Sequence, residues 1–317
     1  MSGIALRRKK LKRALLSCGL ALGVCVTGAS AAHAGGRLLA TGGATEIEGS
    51  AGGGIVPWAL ISGYGTEDEV GGTAFLTGVR VPNYDLISSG VAVGLHDRVE
   101  LSYARQRLGL DNTVLSGITG GNNTTATIRQ DVFGVKVKLF GDAIFAQDSV
   151  IPQISAGMQY KRNLDYGFVP KFLGAKHNDG VDFYVAATKV FLGGLAGRNV
   201  LLNGTVRATK ANQMGLLGFG GPGNDSYKAE FEGSVGVFLD PANTWLIGAE
   251  YRHNPDNGLA GGAIKQDAYK DAFIAYIPNK RFALVAAYAD LGNLPDTTQN
   301  SLNSKKRGVY LSGQFSF

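Results

Sequence analysis

The chain has 317 residues, with 31 Lys and Arg against 25 Asp and Glu, a formal net charge of +6 and two cysteines. Six of the basic residues and both cysteines, Cys18 and Cys25, lie within the first 34 positions, so the remainder holds 25 basic and 25 acidic residues. This balance does not indicate a nucleic-acid partner. The absence of cysteine after residue 34 excludes disulfides and thiolate chemistry from that part of the chain.

The N-terminus has the order of segments that a secretory signal peptide requires. Basic residues at positions 7–13 precede an apolar run of 13 residues at 14–26 and the small-x-small sequence Ala32-His33-Ala34. The run is too short for a membrane-spanning helix, which needs about 20 residues. We therefore predict that residues 1–34 are cleaved and that the exported chain begins at Gly35.

The exported chain opens with a glycine-rich stretch over residues 35–54. It holds at best one strand, around residues 38–47, and the next candidate strand covers residues 55–64. Two interpretations stay open: the two segments form the first strands of a sheet, or they fold inward as a plug.

From residue 72 onward, short amphipathic strands alternate with short turns and long polar loops. Turns near residues 96–98, 141–149, 193–198, 240–244 and 278–280 join pairs of strands, and longer polar stretches cover residues 108–128, 162–180, 210–228, 253–269 and 290–307. Short turns alternating with long loops are typical of outer-membrane barrels, in which the turns are periplasmic.

These segments predict an all-β fold, a transmembrane antiparallel up-and-down β-barrel. With both termini in the periplasm the number of strands is even. Counting every candidate gives 14 strands, which we favour. If the glycine-rich start forms a plug, 12 strands remain.

Two short turns allow the strand register to be predicted. Around residues 240–244, Val237 opposes Ile247 on an apolar face, and Glu232 opposes Arg252 on the polar face, where we expect a solvated ion pair. Around residues 278–280, the same reasoning pairs Tyr276 with Phe282, and likewise residue 274 with residue 284.

The last ten residues, GVYLSGQFSF, alternate apolar and polar side chains and end on an aromatic residue. Outer-membrane barrels resemble this, because their last strand ends in an aromatic residue that the barrel-assembly machinery reads. We therefore predict that Phe315 and Phe317 form the assembly signal.

The charged side chains on the polar faces of the strands are the candidate functional residues, because such charges line the pores of channels. Their signs are mixed, so strong anion or cation selectivity is not implied, and a polar lumen accounts for them equally well. They are Glu100, Lys136, Lys138, Lys161, Asp182, Arg207, Glu230, Glu232, Glu250 and Arg252.

Catalytic and cofactor motifs are weak in this chain. His253 precedes Asn257-Gly258, as in barrel lipid hydrolases, but Asp256 stands where such enzymes have a nucleophilic serine. His96, His177 and His253 have no metal-ligand spacing. The GxGxxG match at 218–223 lies in a polar loop and is not followed by a helix. We predict no enzyme activity, cofactor or metal.

The chain resembles a domain-of-unknown-function family of proteobacterial outer-membrane proteins (DUF 3034). The resemblance covers nearly the whole exported chain, in the segments GRLLATGG, AGGGIVPWALISGYGT, GLHDRVELSYARQ, GAEYRHNPDN, DAFIAYIPNKRFALVAAYADLGN and GVYLSGQFSF. It implies a barrel and an outer-membrane location, and it brings no activity or site residues.

The function that these observations favour is a passive, porin-like channel for small solutes. The alternative is a structural or envelope-maintenance barrel with a blocked lumen. A lipid-modifying enzyme and a barrel for the uptake of apolar compounds are less favoured. Uptake of apolar compounds would need an apolar path, and one inner strand face is apolar, that of Ala283, Val285, Ala287 and Ala289. The expected partners are outer-membrane lipid and the barrel-assembly machinery, and the oligomeric state stays open.

Overall fold

The computed structural model describes residues 37–111, 126–296 and 301–317. The predicted signal peptide lies outside the described residues. The described residues form twelve strands: β1 (Val70–Val81), β2 (Tyr84–Leu95), β3 (Val99–Leu110), β4 (Ala126–Phe140), β5 (Gln153–Asn163), β6 (Asp179–Leu195), β7 (Arg198–Thr209), β8 (Lys228–Phe238), β9 (Trp245–Arg252), β10 (Tyr269–Asn279), β11 (Phe282–Asp296) and β12 (Ser301–Ser316).

Each strand pairs antiparallel with its neighbours in the chain, and β1 pairs with β12, which closes the sheet into a barrel. The predicted up-and-down barrel is therefore confirmed, and the number of strands is the 12 expected if the N-terminal segments form a plug. The count of 14 is wrong, because residues 38–47 and 55–64 form only isolated bridges within their own segment. Their backbone groups bond to one another and to side chains of the barrel wall, as described below.

Side chains alternate between the two faces of the wall, as the geometry of a strand requires. Along β10, Asp271, Phe273 and Ala275 are buried and point inward, whereas Ile274 and Tyr276 are exposed and point outward. The outward face around the barrel carries exposed Val, Leu, Ile and Phe, including Phe133, Phe183, Leu202, Phe231, Leu284 and Leu311. An apolar outer belt is what a bilayer requires of a transmembrane barrel.

The two ends of the barrel differ. One end, here the turn end, carries the connections β2–β3, β4–β5, β6–β7, β8–β9 and β10–β11. The opposite end, here the loop end, carries residues 164–178, 210–227 and 253–268, which contain the one-turn helix α1 (Val169–Phe172) and 3₁₀ turns at Gln213–Gly215 and Leu259–Gly262. In the part of the chain that the structure describes, no helix is long and apolar enough to span a membrane.

The register across the β8–β9 turn is confirmed, since Val237 opposes Ile247 and Glu232 opposes Arg252. The register predicted across β10–β11 is wrong by two residues, because Tyr276 opposes Leu284. An irregularity between Tyr276 and Asn279 takes up the difference. A shift of two residues keeps every side chain on its face, so the polarity pattern could not reveal it.

Aromatic side chains mark the turn end on the outward face. The rings of Trp245 and Tyr276 lie 4.4 Å apart between centroids, and those of Phe282 and Phe315 lie 5.3 Å apart. Such aromatic residues form a girdle at a membrane interface.

Candidate functional site: the occupied lumen

Residues 38–65, here called the plug, lie inside the barrel and are mostly buried. Both ends of the plug are at the turn end. Arg37 donates to the carbonyl oxygen of Gly63 at 2.9 Å and forms an ion pair with Asp97 in the β2–β3 turn at 3.3 Å. The plug therefore enters and leaves the lumen through the same opening.

The plug packs directly against backbone at Gly94 of β2. A Cβ atom at this position would lie 2.2 Å from the carbonyl oxygen of Ser62 and 2.8 Å from Cγ2 of Ile61. The wall thus lacks a side chain where the plug returns toward β1.

Glu48 is the charged centre of the plug. Its carboxylate forms ion pairs with Lys161 and, at 2.8 Å, with Arg252, and it lies 3.8 Å from Arg207. All four side chains are at most 2 % exposed. One plug carboxylate therefore holds three cations that come from three strands of the wall.

Each of these cations also has an acidic partner on the wall. Arg252 contacts Glu230 at 2.6 Å, Arg207 contacts Glu232 at 2.5 Å and Lys161 contacts Asp182 at 2.6 Å. The expected ion pair between Glu232 and Arg252 is therefore wrong, although the two residues oppose each other as predicted. The long arginine side chains reach across to other carboxylates instead of their direct strand neighbours.

Glu100 and Lys136 form a second group, and both bind the plug backbone. Glu100 accepts from Ala51 N at 3.1 Å and Ser62 N at 2.9 Å, and Lys136 donates to the carbonyl oxygens of Ala51 and Trp58 at 3.1 Å each. Lys136 and Glu100 are 3.2 Å apart. The plug backbone is not part of a sheet, so these two wall residues supply hydrogen-bond partners that its N–H and C=O groups would otherwise find in a neighbouring strand.

Glu250 binds the glycine turn of the plug. Its carboxylate accepts from Gly54 N at 2.6 Å and Ile55 N at 2.8 Å. Ser234 donates to Glu250 at 2.6 Å and accepts from the indole nitrogen of Trp58 at 2.9 Å. The strands β8 and β9 thereby hold both the backbone and a side chain of the plug.

Nine of the ten predicted lumen charges are at most 5 % exposed, and the tenth, Lys138, pairs with Asp97 at 2.7 Å near the turn end. The expectation of solvated charges in a wet lumen is therefore wrong for these nine. The plug takes the space that water would fill in an open pore.

Acidic groups exceed basic groups in this interior. Glu46 accepts from Glu48 N at 2.7 Å and from Gln159 at 3.0 Å, and among the described residues neither it, nor Glu250, nor Asp271 has a cation within ion-pair distance. Asp271 directly opposes Glu250 on the neighbouring strand.

The inner face of β11 is apolar near the turn end. Ala283 and Val285 of β11 belong to one buried cluster with the plug residues Ile55, Val56 and Leu60. The cluster also includes Ala40 and Ile47 of the glycine-rich stretch, so this apolar inner face and the plug belong to one buried core.

Glu46 and Glu48 were not among the residues predicted from the sequence. The signal was available, because they are the only charged residues between positions 38 and 65. Two carboxylates in an otherwise uncharged, glycine-rich segment need buried partners if that segment enters a core.

Among the described residues, none of the three histidines is hydrogen-bonded to a serine or threonine hydroxyl. The Nδ1 atom of His253 is buried without a hydrogen-bond partner. His177 lies 3.1 Å from both carboxylate oxygens of Asp225 in the loops, and this hydrogen bond holds the pKa of Asp225 below its usual value. In the same described ranges no three His, Cys, Asp or Glu side chains group in a way that could hold a metal ion.

The predicted assembly residues lie where the barrel closes. Phe315 packs against Phe282 on the outward face, and the Phe317 backbone exchanges hydrogen bonds of 3.0 Å with Gly72 of β1. The proposed contact with the assembly machinery stays a prediction.

A closed 12-stranded sheet with an apolar outer belt defines this protein as an outer-membrane β-barrel. Residues 41–314 match the family described as protein of unknown function (DUF3034). The chain belongs to that family.

Among solved structures, the chain is similar to the KdgM porin, with 8% identity over 77% of this chain and 99% of the porin, and a TM-score of 0.45. It is similar to LpxR from Salmonella typhimurium (12% identity, 78% of this chain, 99% of LpxR, TM-score 0.44). It is also similar to OmpF in the Salmonella typhi OmpF complex with daunomycin, with 10% identity over 78% of this chain and 97% of OmpF, and a TM-score of 0.36. Comparison with curated proteins gives no match.

Proposed function

We propose that this protein is a closed outer-membrane barrel with a structural or envelope-maintenance role, and that it has no enzyme activity. The observation that carries the proposal is the plug, which fills the lumen and buries the charges of the wall. A lysine or arginine on the wall of an open pore is solvated, whereas Lys161 and Arg207 here are 0 % exposed.

The cost of opening supports the closed state. Removing the plug would separate Glu48 from three cations and would leave Glu100, Lys136 and Glu250 without their plug partners. Breaking one buried ion pair costs about 3–5 kcal/mol when its other partner stays buried. Water entering the emptied lumen would hydrate the exposed charges and offset part of this cost. The difference between the two free energies decides how often the barrel opens.

A passive channel for small solutes, the function that the sequence favours, is the second candidate. One observation favours it: both ends of the plug lie at the turn end and are tied together by the hydrogen bond from Arg37 to Gly63. A segment held in this way can leave the lumen as one loop without threading. In that case the protein is a gated channel.

Single-channel recording in planar bilayers tests the proposal. The wild-type barrel is expected to insert without conductance steps, and a variant lacking residues 38–62 is expected to conduct steadily. A deletion of loop residues 222–226, outside the lumen, is the control and should stay closed. Steady conductance of the wild type would overturn the closed barrel, and brief steps that become continuous in the plug deletion would support the gated channel.

A further inference from the structure

A cavity of about 50 Å³ lies in the half of the lumen nearest the loop end. Three parts of the chain enclose it: Ile47 and Ile55 of the plug, Leu108 and Leu291 of the wall, and Met214 and Leu216 of the loop between β7 and β8. The plug and an outer loop therefore meet the wall around one empty space.

The cavity is apolar. The hydroxyl of Tyr269 at its edge donates to the side chain of Gln213. Tyr310 also lines the cavity, and among the described residues its buried hydroxyl has no hydrogen-bond partner. A water molecule in a cavity needs two to four polar partners, and cavities lined by aliphatic and aromatic carbon stay dry and bind apolar molecules. The lining therefore selects against water and for apolar ligands.

The loop segment that covers the cavity is held in an unfavourable backbone conformation. Gln213 and Met214 are consecutive non-glycine residues with φ of 48° and 59°, in the left-handed region. This region costs roughly 1–2 kcal/mol per ordinary residue. Strained residues of this kind concentrate at ligand sites, where surrounding contacts impose them.

Those surrounding contacts come from the wall. Gln130 donates to the carbonyl oxygen of Met214 at 3.0 Å, and Asn163 donates to that of Leu216 at 2.7 Å. Amide side chains of two strands thus hold the cover over the cavity by its backbone, and the side chains of Met214 and Leu216 stay free to line it.

We propose that this cavity is a binding site for a small apolar molecule, with residues 213–216 as its cover. An engineered cavity of about 150 Å³ accepts benzene. This cavity has only about 50 Å³, so we expect it to accept a single xenon atom but not benzene. The proposal goes beyond the closed-barrel function and does not depend on whether the barrel conducts.

Xenon is the probe for the wild-type cavity. Crystals of the full exported chain under xenon pressure should show an anomalous peak between Leu108 and Met214. Ala289→Leu adds a side chain where Ala289 lines the cavity, and it should remove the peak. Ala286→Leu, on the outward face of the same strand, is the control and should retain it. Ordered water in the cavity, or xenon bound only on the outward face, would overturn the proposal.

Benzene is the probe for an enlarged cavity. Leu108→Ala removes a cavity-lining side chain, and Leu101→Ala removes an exposed one from the same strand. Saturating benzene should raise the Tm of Leu108→Ala by about 2–4 °C relative to Leu101→Ala, since a ligand that binds only the folded state stabilises it. Equal responses of the two variants would show that the space does not take apolar ligands. Should Leu108→Ala fail to fold, the xenon comparison decides.

Discussion

At the scale of single residues, the buried carboxylate of Glu48 ties the plug to the wall of the barrel. Burying a carboxylate is costly unless it is paired and hydrogen-bonded. Here the pairing comes from Lys161, Arg207 and Arg252, which belong to β5, β7 and β9. Because the partners are on separate strands, the plug has one position in which all three are satisfied.

We expect Glu48→Gln to weaken plug docking by about 3 kcal/mol, the lower end of the cost of breaking a buried pair, because each cation keeps one carboxylate of the wall. The chain has only two tryptophans, Trp58 in the plug and Trp245 on the outward face. In a Trp245→Phe background, Trp58 emission therefore reports the plug. In this background, Glu48→Gln should lower the urea concentration at the midpoint of the change in Trp58 emission, because the plug is less firmly docked.

Glu67→Gln is the matched control, since Glu67 is an exposed glutamate between the plug and β1. It should leave the midpoint unchanged. Equal midpoints for the Glu48 and Glu67 variants would show that the network around Glu48 does not hold the plug.

At the scale of elements, the plug depends on the missing side chain at Gly94 of β2. Gly94→Ala would place a methyl group 2.2 Å from the carbonyl oxygen of Ser62, so the plug backbone must move. Overpacking of this kind costs about 1–3 kcal/mol. We expect a lower urea midpoint of Trp58 emission, measured in the same background.

The control for Gly94 is Gly204→Ala on β7, where nothing lies within 4 Å of the added methyl group. This variant should behave as the wild type. If both variants lower the urea midpoint, the destabilisation comes from replacing glycine in a strand and not from the contact with the plug.

The strand β12 closes the barrel, and we expect Phe317, which directly follows it, to be recognised by the assembly machinery. Phe317→Ala should lower the folded fraction in the outer membrane, because it removes the terminal aromatic ring while the backbone bonds to Gly72 remain possible. Heat-modifiability on gels measures the folded fraction. Ser316→Ala, with an inward side chain, should change it less, and an unchanged fraction for Phe317→Ala would remove the assumed signal.

At the scale of the whole molecule, the lumen wall offers the plug both charged and apolar contacts. Ion pairs and charged hydrogen bonds gather on β3 to β9. The inner faces of β10 and β11 contribute Phe273, Ala275, Ile277, Ala283 and Val285 to an apolar cluster that also includes Val190, Leu201, Phe238 and Leu246 of β6 to β9. The plug uses both kinds of contact, with Glu48 bound to the cations and Ile55 in the cluster. One segment is therefore held by both charge and apolar burial.

The orientation of the barrel gives a test of the whole topology. The turn end should face the periplasm and the loop end the exterior. Single cysteines at Ser226 and Asn279, both exposed and at opposite ends, can be labelled with an impermeant maleimide on intact cells. Ser226→Cys should react and Asn279→Cys should be protected, and the reverse pattern would invert the barrel.

The sequence by itself determined the barrel, because its information is local. Alternation of side chains along each strand, short turns against long loops, and the terminal GVYLSGQFSF predict a membrane wall without knowledge of any distant contact. The register of β8 and β9 followed in the same way, since only a short turn separates them.

Only the tertiary structure decided what fills the barrel. Residues 38–47 and 55–64 have an apolar pattern that suits strands and plug alike. The position of the second segment depends on distant contacts, because Ser62 N donates to Glu100, 38 positions away, and the Ile55 carbonyl oxygen accepts from Arg252, 197 positions away. The same holds for Arg207 and Arg252. The sequence predicts that both side chains face the lumen, but it does not predict which carboxylates they contact. A flexible arginine side chain can reach several carboxylates, and which of them it contacts depends on their positions in the folded protein. Glu48 lies near Arg207 and Arg252 only when the plug is folded inside the barrel.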